Sequence, residues 1–142
     1  MQPALLDTSI YVSAMRRGQD ATLALRRFAS GAPLWLSAVV LQELYAGTGD
    51  RDRPAIERIE RHFDAANRVL VPNMSDWIQT GKVLARLAAQ YHYEPTGRVR
   101  LTNDALIAMS AGRLGIRVFT TNARDFSRLA EFRPFEWEVM AF

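Results

Sequence analysis

Four carboxylates stand where this chain can assemble chemistry. Asp7 directly follows the apolar run Ala4-Leu5-Leu6, and Glu43 interrupts the otherwise apolar stretch Val39-Val40-Leu41-Gln42-Glu43-Leu44-Tyr45. Asp104 precedes Ala105-Leu106-Ile107-Ala108-Met109, and Asp125 comes shortly after Val118-Phe119-Thr120. Each has an ordinary structural reading. Asp7 caps a helix well, Glu43 can occupy a narrow solvent face, Asp104 suits the dipole of a helix start, and Asp125 can cap a turn. Gathered at one rim of one sheet, however, four carboxylates repel each other strongly unless a cation neutralises them. Hard oxygen donors select Mg²⁺ or Mn²⁺ rather than zinc when no cysteine is present and no histidine stands at ligand spacing. His62, on a polar helix, and His92, at a helix end, lack an i, i+4 partner and read as structural residues.

Other chemistries lack their residues. The chain has no cysteine, which excludes a thiol nucleophile, a disulfide framework and Cys-ligated metals. No Gly-x-Ser-x-Gly elbow occurs, nor a Gly-x-x-x-x-Gly-Lys-Ser/Thr loop, nor a Gly-x-Gly-x-x-Gly fingerprint. A receiver-like phosphoacceptor also collects acids at a sheet edge, but it needs a lysine on a late strand. The only lysine, Lys82, falls inside a predicted helix.

The elements that must position the four acids follow from periodicity and punctuation. An apolar run over 4–6 reads as a strand, and the Ile10, Tyr11, Ala14 pattern after Asp7-Thr8-Ser9 reads as a helix. A helix is expected over 21–29, ending at Gly31-Ala32-Pro33, then a strand over 34–36 with Ser37 capping a helix over 38–46. A polar helix over 53–66 carries Ile56, Ile59 and Phe63. Residues 69–71 form a third strand, and Ser75 is placed to cap a long helix with Trp77, Gly81, Leu84, Ala88 and Tyr91 on its buried face. Pro95-Thr96-Gly97 reads as a loop, Thr102-Asn103 as the opening of a helix over 104–114, and Gly115 as its end. A fourth strand over 117–120, a short helix over 124–129 and a closing segment over 135–139 complete the pass.

Strands alternating with helices of these lengths imply a parallel sheet with crossover helices. Sites in such sheets form beyond the carboxyl ends of the strands, where the strand order reverses. The expected fold class is therefore α/β, with an acidic site at that edge.

Composition sets the outer bounds. At 142 residues, 49% hydrophobic and 23% charged, the chain reads as a single globular domain, 1–142, with no linker or repeat. The apolar stretch 33–41 is far short of the roughly 20 residues that span a bilayer, so no membrane partner is expected. The start carries no basic segment ahead of a signal-length apolar run, which makes a cytoplasmic location the expectation. Formal charge is +3, from 18 basic and 15 acidic residues, and arginine supplies nearly all the positive charge. Arginine suits phosphate oxygens and stacks on bases, although a GC-rich genome produces the same bias.

Four blocks of the sequence resemble the signature blocks of the PIN-domain ribonucleases, above all the toxin subunits of VapBC toxin–antitoxin systems. They are Leu5-Leu6-Asp7-Thr8-Ser9, Leu41-Gln42-Glu43-Leu44, Asn103-Asp104-Ala105-Leu106-Ile107-Ala108 and Thr120-Thr121-Asn122-Ala123-Arg124-Asp125-Phe126. Each is weak alone; in this order and spacing, from Ala4 to about Leu129, they are strong together.

The resemblance implies a PIN-like fold, a short parallel sheet of four to five strands flanked by helices. It also implies Mg²⁺- or Mn²⁺-dependent endoribonuclease activity of a type II toxin, inhibition by a cognate VapB-type antitoxin, and a homodimer. Helices around 41–45 and 77–91 would offer apolar surface to an antitoxin segment.

Asp7, Glu43 and Asp104 match the family's three core acids, and Asp125 matches the acid before the Phe of the last block. Asn122 stands where many members carry Asp, which leaves open whether Asn122 or Asp125 completes the metal site; the Asn122 amide can also orient a metal-bound water. Thr8 and Thr121 match small hydroxyl residues near the metal. Arg16, Arg17, Arg98 and Arg100 are candidate RNA-phosphate contacts, although any one of them taken singly reads first as part of a solvated face. The mechanism that fits is hydrolysis of an RNA phosphodiester by an activated water, leaving 5′ phosphates and 3′ hydroxyls. The alternative is a PIN-like module that binds RNA or protein without cleaving.

Overall fold

A computed structural model describes residues 2–19, 31–92 and 95–140, with the backbone alone for 95–98. The helix expected over 21–29 lies outside the described residues. Five strands, β1 (Ala4–Leu6), β2 (Leu34–Ser37), β3 (Val69–Leu70), β4 (Arg117–Thr120) and β5 (Trp137–Val139), form one sheet in the order β3-β2-β1-β4-β5. Every pairing is parallel, as the alternation of strands and helices implied. The described helices are α1 (Thr8–Arg16), α2 (Ala38–Gly47), α3 (Arg53–Ala65), α4 (Met74–Tyr91), α5 (Pro95–Arg113) and α6 (Ala123–Phe132).

Strand order reverses between β1 and β4. The chain builds outward from β1 through β2 to β3, then returns to place β4 on the other side of β1, with Leu6 in register with Phe119. The carboxyl ends of these two strands therefore flank the crevice that this topology creates. The strands are short and apolar because they lie inside the molecule: Leu5, Leu6, Leu36 and Val118 are fully buried, with Ile107, Phe126 and Leu129 packing from the helices.

The structure corrects the sequence reading in two places that bear on the site. The segment Pro95-Thr96-Gly97 is the first turn of α5 and not a loop. Proline is favoured at that position, because its missing N–H would have had no intrahelical partner there. Asp104 consequently sits in the middle of a 19-residue helix, out of reach of the helix-dipole effect, which fades within the first turn. Residues 104 to 111 are buried without a break, which makes this part of α5 the central helix of the core. It ends where expected, with Gly115 in the left-handed region at φ +67° and the Ile116 N–H donating 2.9 Å to the Ala111 carbonyl, a helix stop that glycine favours.

The second correction concerns α4. Its cap is Asn73, whose Oδ1 accepts from the Asp76 N–H while Asp76 Oδ2 accepts from the Asn73 N–H, both at 2.9 Å. Ser75 is exposed and caps nothing. The buried stripe is Asp76, Thr80, Val83 and Leu87, about one residue round from the stripe expected. Asp76 turns inward because Arg113 of α5 meets it through Nε at 3.0 Å and Nη2 at 3.0 Å. Trp77, 54% exposed, consequently points outward beside Met74 and Ile78.

Candidate active site

The edge at the carboxyl ends of β1 and β4 is built from the first residue beyond β1. Asp7 is the N-cap of α1, 3% exposed, with its Oδ1 accepting from the Ser9 N–H at 2.8 Å and from the Ser9 hydroxyl. The Thr120 hydroxyl, at the end of β4, donates to Asp7 Oδ2 at 2.5 Å. Both donors are themselves oriented: Ser9 Oγ accepts from the Thr121 N–H at 3.2 Å, and Thr120 Oγ1 from the Asn122 N–H at 2.9 Å. The donors reach the Asp7 carboxylate from both sides, from the start of α1 on Oδ1 and from the end of β4 on Oδ2. The cap and the functional reading of Asp7 are thus both true of the same side chain.

Glu43 projects from α2, whose start is fixed by the Ser37 Oγ accepting from the Val39 N–H at 3.1 Å. It is half-buried, and the Thr8 hydroxyl donates to its Oε1 at 2.7 Å. Asp104 enters from the middle of α5, 7% exposed. Asp125, also buried, is in the first turn of α6 behind the cap residue Asn122, whose Oδ1 accepts from the Asp125 N–H at 3.4 Å. Arg124 Nε donates to Asp125 Oδ1 at 3.3 Å, and Asn122 Nδ2 donates to Asp125 Oδ2 at 3.0 Å and to Asp104 Oδ2 at 3.5 Å.

Electrostatics tie the four acids into one site. Burial first, and then the charges of Asp7, Glu43 and Asp125 in that order, together raise the Asp104 carboxyl to about 8, against a lowering by Arg100. Burial also raises Asp7, opposed by its hydrogen bonds to Ser9 and Thr120. A proton on Asp104 at neutral pH is the response of a carboxylate that faces three others in a low-dielectric setting. The donor set is all hard oxygen, which fits Mg²⁺ or Mn²⁺. Among the described residues no three His, Cys, Asp or Glu side chains yet converge into a cation cage, so the carboxylates meet as a charge cluster and not as a closed coordination shell.

The remaining sequence candidates fall unevenly. Thr8 reaches Glu43 directly. Thr121 is exposed and contributes its backbone N–H to Ser9, while the neighbouring Thr120 supplies the hydroxyl that holds Asp7. Sequence reasoning passed over Thr120 and Ser9, yet the strand's inward parity, with Val118 and Thr120 buried and Arg117 and Phe119 less so, was a usable signal for Thr120. Arg100 lies one helical turn before Asp104 and acts on its charge. Arg16 and Arg17 are exposed at the far end of α1, about 13 Å along the helix from Asp7 at 1.5 Å per residue. The side chain of Arg98 lies outside the described residues.

Comparison with solved structures finds the same architecture over the full length. DNA-bound VapBC from Salmonella typhimurium contains a chain that superposes with a TM-score of 0.68 at 23% identity, covering 98% of each chain. VapBC2 from Rickettsia felis, bound to a promoter DNA fragment, gives 0.70 at 19% identity over 99% of this chain and 100% of that one. VapBC-1 from nontypeable Haemophilus influenzae gives 0.66 at 24% identity over 97% and 98%. Among curated proteins none is a recognisable relative by sequence. At these identities the likeness is one of fold, but the PIN domain family model matches residues 4–132. That span takes in all five acidic and amide positions of the site and nearly the whole chain, which belongs to the PIN domain family.

Proposed function

We propose that the chain is a Mg²⁺- or Mn²⁺-dependent endoribonuclease, the VapC-type toxin of a type II toxin–antitoxin pair. The observation that carries this reading is Asp104: a carboxyl buried in mid-helix and pushed up to about 8 by burial and three neighbouring carboxylates. A divalent cation relieves such an arrangement. Asp7, Asp104 and Glu43 would hold the ion, with Asp125 alongside. Bound there, the ion supplies Lewis-acid stabilisation of phosphoryl oxygens and activation of water.

The chain's own residues do the rest. Ser9 and Thr120 fix the Asp7 carboxylate, and Thr8 fixes one oxygen of Glu43, leaving the other to bind the ion or to accept a proton from the attacking water. Arg100, whose charge acts on Asp104, is the arginine proposed to meet a phosphate there. The proposed partners are an RNA substrate, a VapB-type antitoxin and a second copy of the chain. The solved relatives are VapBC assemblies, and the exposed Met74, Trp77 and Ile78 of α4 give a partner apolar surface to cover.

The test is incubation of total RNA with the purified chain, free of any antitoxin, in Mg²⁺ or Mn²⁺ and in excess EDTA, alongside Asp7→Asn. Fragments with 5′ phosphates that disappear in EDTA and in the variant are expected. Intact RNA with persistent RNA or protein binding would point instead to a non-catalytic PIN-like binding module.

A further inference from the structure

Between Asp104 and Asp125 the site contains an amide. Asn122 Nδ2 reaches Asp125 Oδ2 at 3.0 Å and Asp104 Oδ2 at 3.5 Å, so one donor group touches a carboxylate from α5 and another from α6. The orientation of the amide follows from its other contacts. Its Oδ1 accepts from the Asp125 N–H at 3.4 Å, and its own backbone N–H is anchored on Thr120 Oγ1 at 2.9 Å. A flipped amide would turn Oδ1 onto two carboxylates and Nδ2 onto an N–H group, losing the bonds to Asp104, to Asp125 Oδ2 and from the Asp125 N–H, while the backbone bond to Thr120 is untouched.

A donor shared by two buried carboxylates does part of what a cation does: it lowers their mutual repulsion and ties two helices together. It differs from a carboxylate at the same position in having no lone pair and no negative charge to offer an ion on that side. We propose that Asn122 is a neutral bridge that holds Asp104 and Asp125 together without a cation and weakens divalent-cation binding relative to a carboxylate in its place. The second half rests on the metal-dependent reading above; the first half does not.

Two substitutions separate the roles of Asn122, since both keep an oxygen able to cap α6. Asn122→Ser removes the amide donor, and Asn122→Asp replaces it with a charge. In EDTA at pH 8.5, Asn122→Ser is expected to melt about 3–6 °C below the unsubstituted chain, the loss of a hydrogen bond to charged groups, and Asn122→Asp lower still. On calorimetric titration with Mn²⁺, Asn122→Asp is expected to bind about 10-fold more tightly, because affinity follows the charge count of the ligands; Asn122→Ser should not. An Asn122→Asp melting temperature in EDTA at or above that of the unsubstituted chain would overturn the bridge. Mn²⁺ binding to the unsubstituted chain with no tightening in Asn122→Asp would overturn the metal half alone. Failure of all three chains to bind Mn²⁺ would overturn that half together with the proposed nuclease, while the EDTA melts would still decide the bridge.

Discussion

The Thr120 hydroxyl donates to Asp7 Oδ2 at 2.5 Å across 113 residues of sequence, and it joins the ends of the two strands between which the sheet reverses its order. Thr120 is fully buried, and its oxygen is fixed in turn by the Asn122 N–H. The Asp7 carboxylate is thus oriented by a strand that is itself locked in register. That arrangement determines which oxygen of Asp7 faces the site and how much freedom it has.

Replacing Thr120 by Val keeps the volume and removes the hydroxyl. Loss of an outer partner to a metal-ligating carboxylate typically lowers metal affinity or activity by about 10–100-fold, and that is the expected fall in Mn²⁺ affinity and RNA cleavage. Thr120→Ser should restore most of it, whereas a purely packing role would make Ser the worse of the two. Calorimetric Mn²⁺ titration of both variants decides the matter.

Asp7→Asn tests the same carboxylate from the other side. The amide keeps an oxygen for the Ser9 N–H, so the cap of α1 survives and the variant should fold. Cleavage is expected to fall at least about 100-fold, because an electrostatic contribution to the transition state is removed, with RNA affinity retained in a gel-shift assay. Equal loss of cleavage and binding would place Asp7 in RNA recognition instead.

Much of this site is legible in the sequence because three of its acids follow or flank short apolar runs whose ends the α/β pattern locates. Asp7 and Asp125 sit within a residue or two of where strand ends and helix starts are marked by Thr, Ser and Asn. Asp104 was legible as an acid beside a buried run but not in its setting, since Pro95-Thr96-Gly97 signals a loop and a helix start equally well. Trp77 misled for a different reason. Its bulk argues for burial, whereas the facing Arg113 rotates Asp76 inward, and no local pattern along α4 reports a partner on α5. The roles of Ser9 and Thr120 depend on a pairing 113 residues apart, which spacing along the chain cannot reveal.

The Asp76–Arg113 contact is a stability prediction in its own right. Asp76 is 2% exposed and Arg113 about a third exposed, so removing the arginine leaves a buried carboxylate with only its capping bonds. Arg113→Met is expected to cost about 2–3 kcal/mol, below the usual range for a fully buried pair because solvent reaches the guanidinium. Asp76→Asn together with Arg113→Met should recover part of that loss. Urea melts of the single and double variants measure both.

The exposed face of α4 predicts self-association. Met74, Trp77 and Ile78 lie on the side of the helix opposite Asp76 and Thr80, and contiguous apolar surface of this kind marks an interface. Light scattering on the purified chain should give a dimer mass, and Trp77→Glu should give a folded monomer whose melting temperature falls only by what association contributed, since Trp77 contributes little to the core. The same mass for both proteins would remove α4 from the interface.

The charge cluster also fixes a dependence of stability on pH. In the folded chain Asp104 titrates near 8, against 3.8 for an ordinary Asp side chain, so between those values the folded state holds a proton that the unfolded state has released. Stability then falls as pH rises: the contribution of that proton is fully present below about 3.8 and gone above about 8. Asp7, also raised by burial, acts in the same direction. The loss is on the order of a few kcal/mol. A divalent cation would do the work of the proton, so Mg²⁺ should restore stability mainly above pH 7, and its binding near neutrality should release about one proton. Urea melts from pH 5 to 9 in EDTA and in Mg²⁺, with Asp104→Asn as the control, read this directly. The variant should lose most of the downward slope and most of the Mg²⁺ effect. If the metal-free chain and Asp104→Asn showed the same slope, the cluster would not be the origin of the pH dependence, and the charge argument for a cation would lose its support.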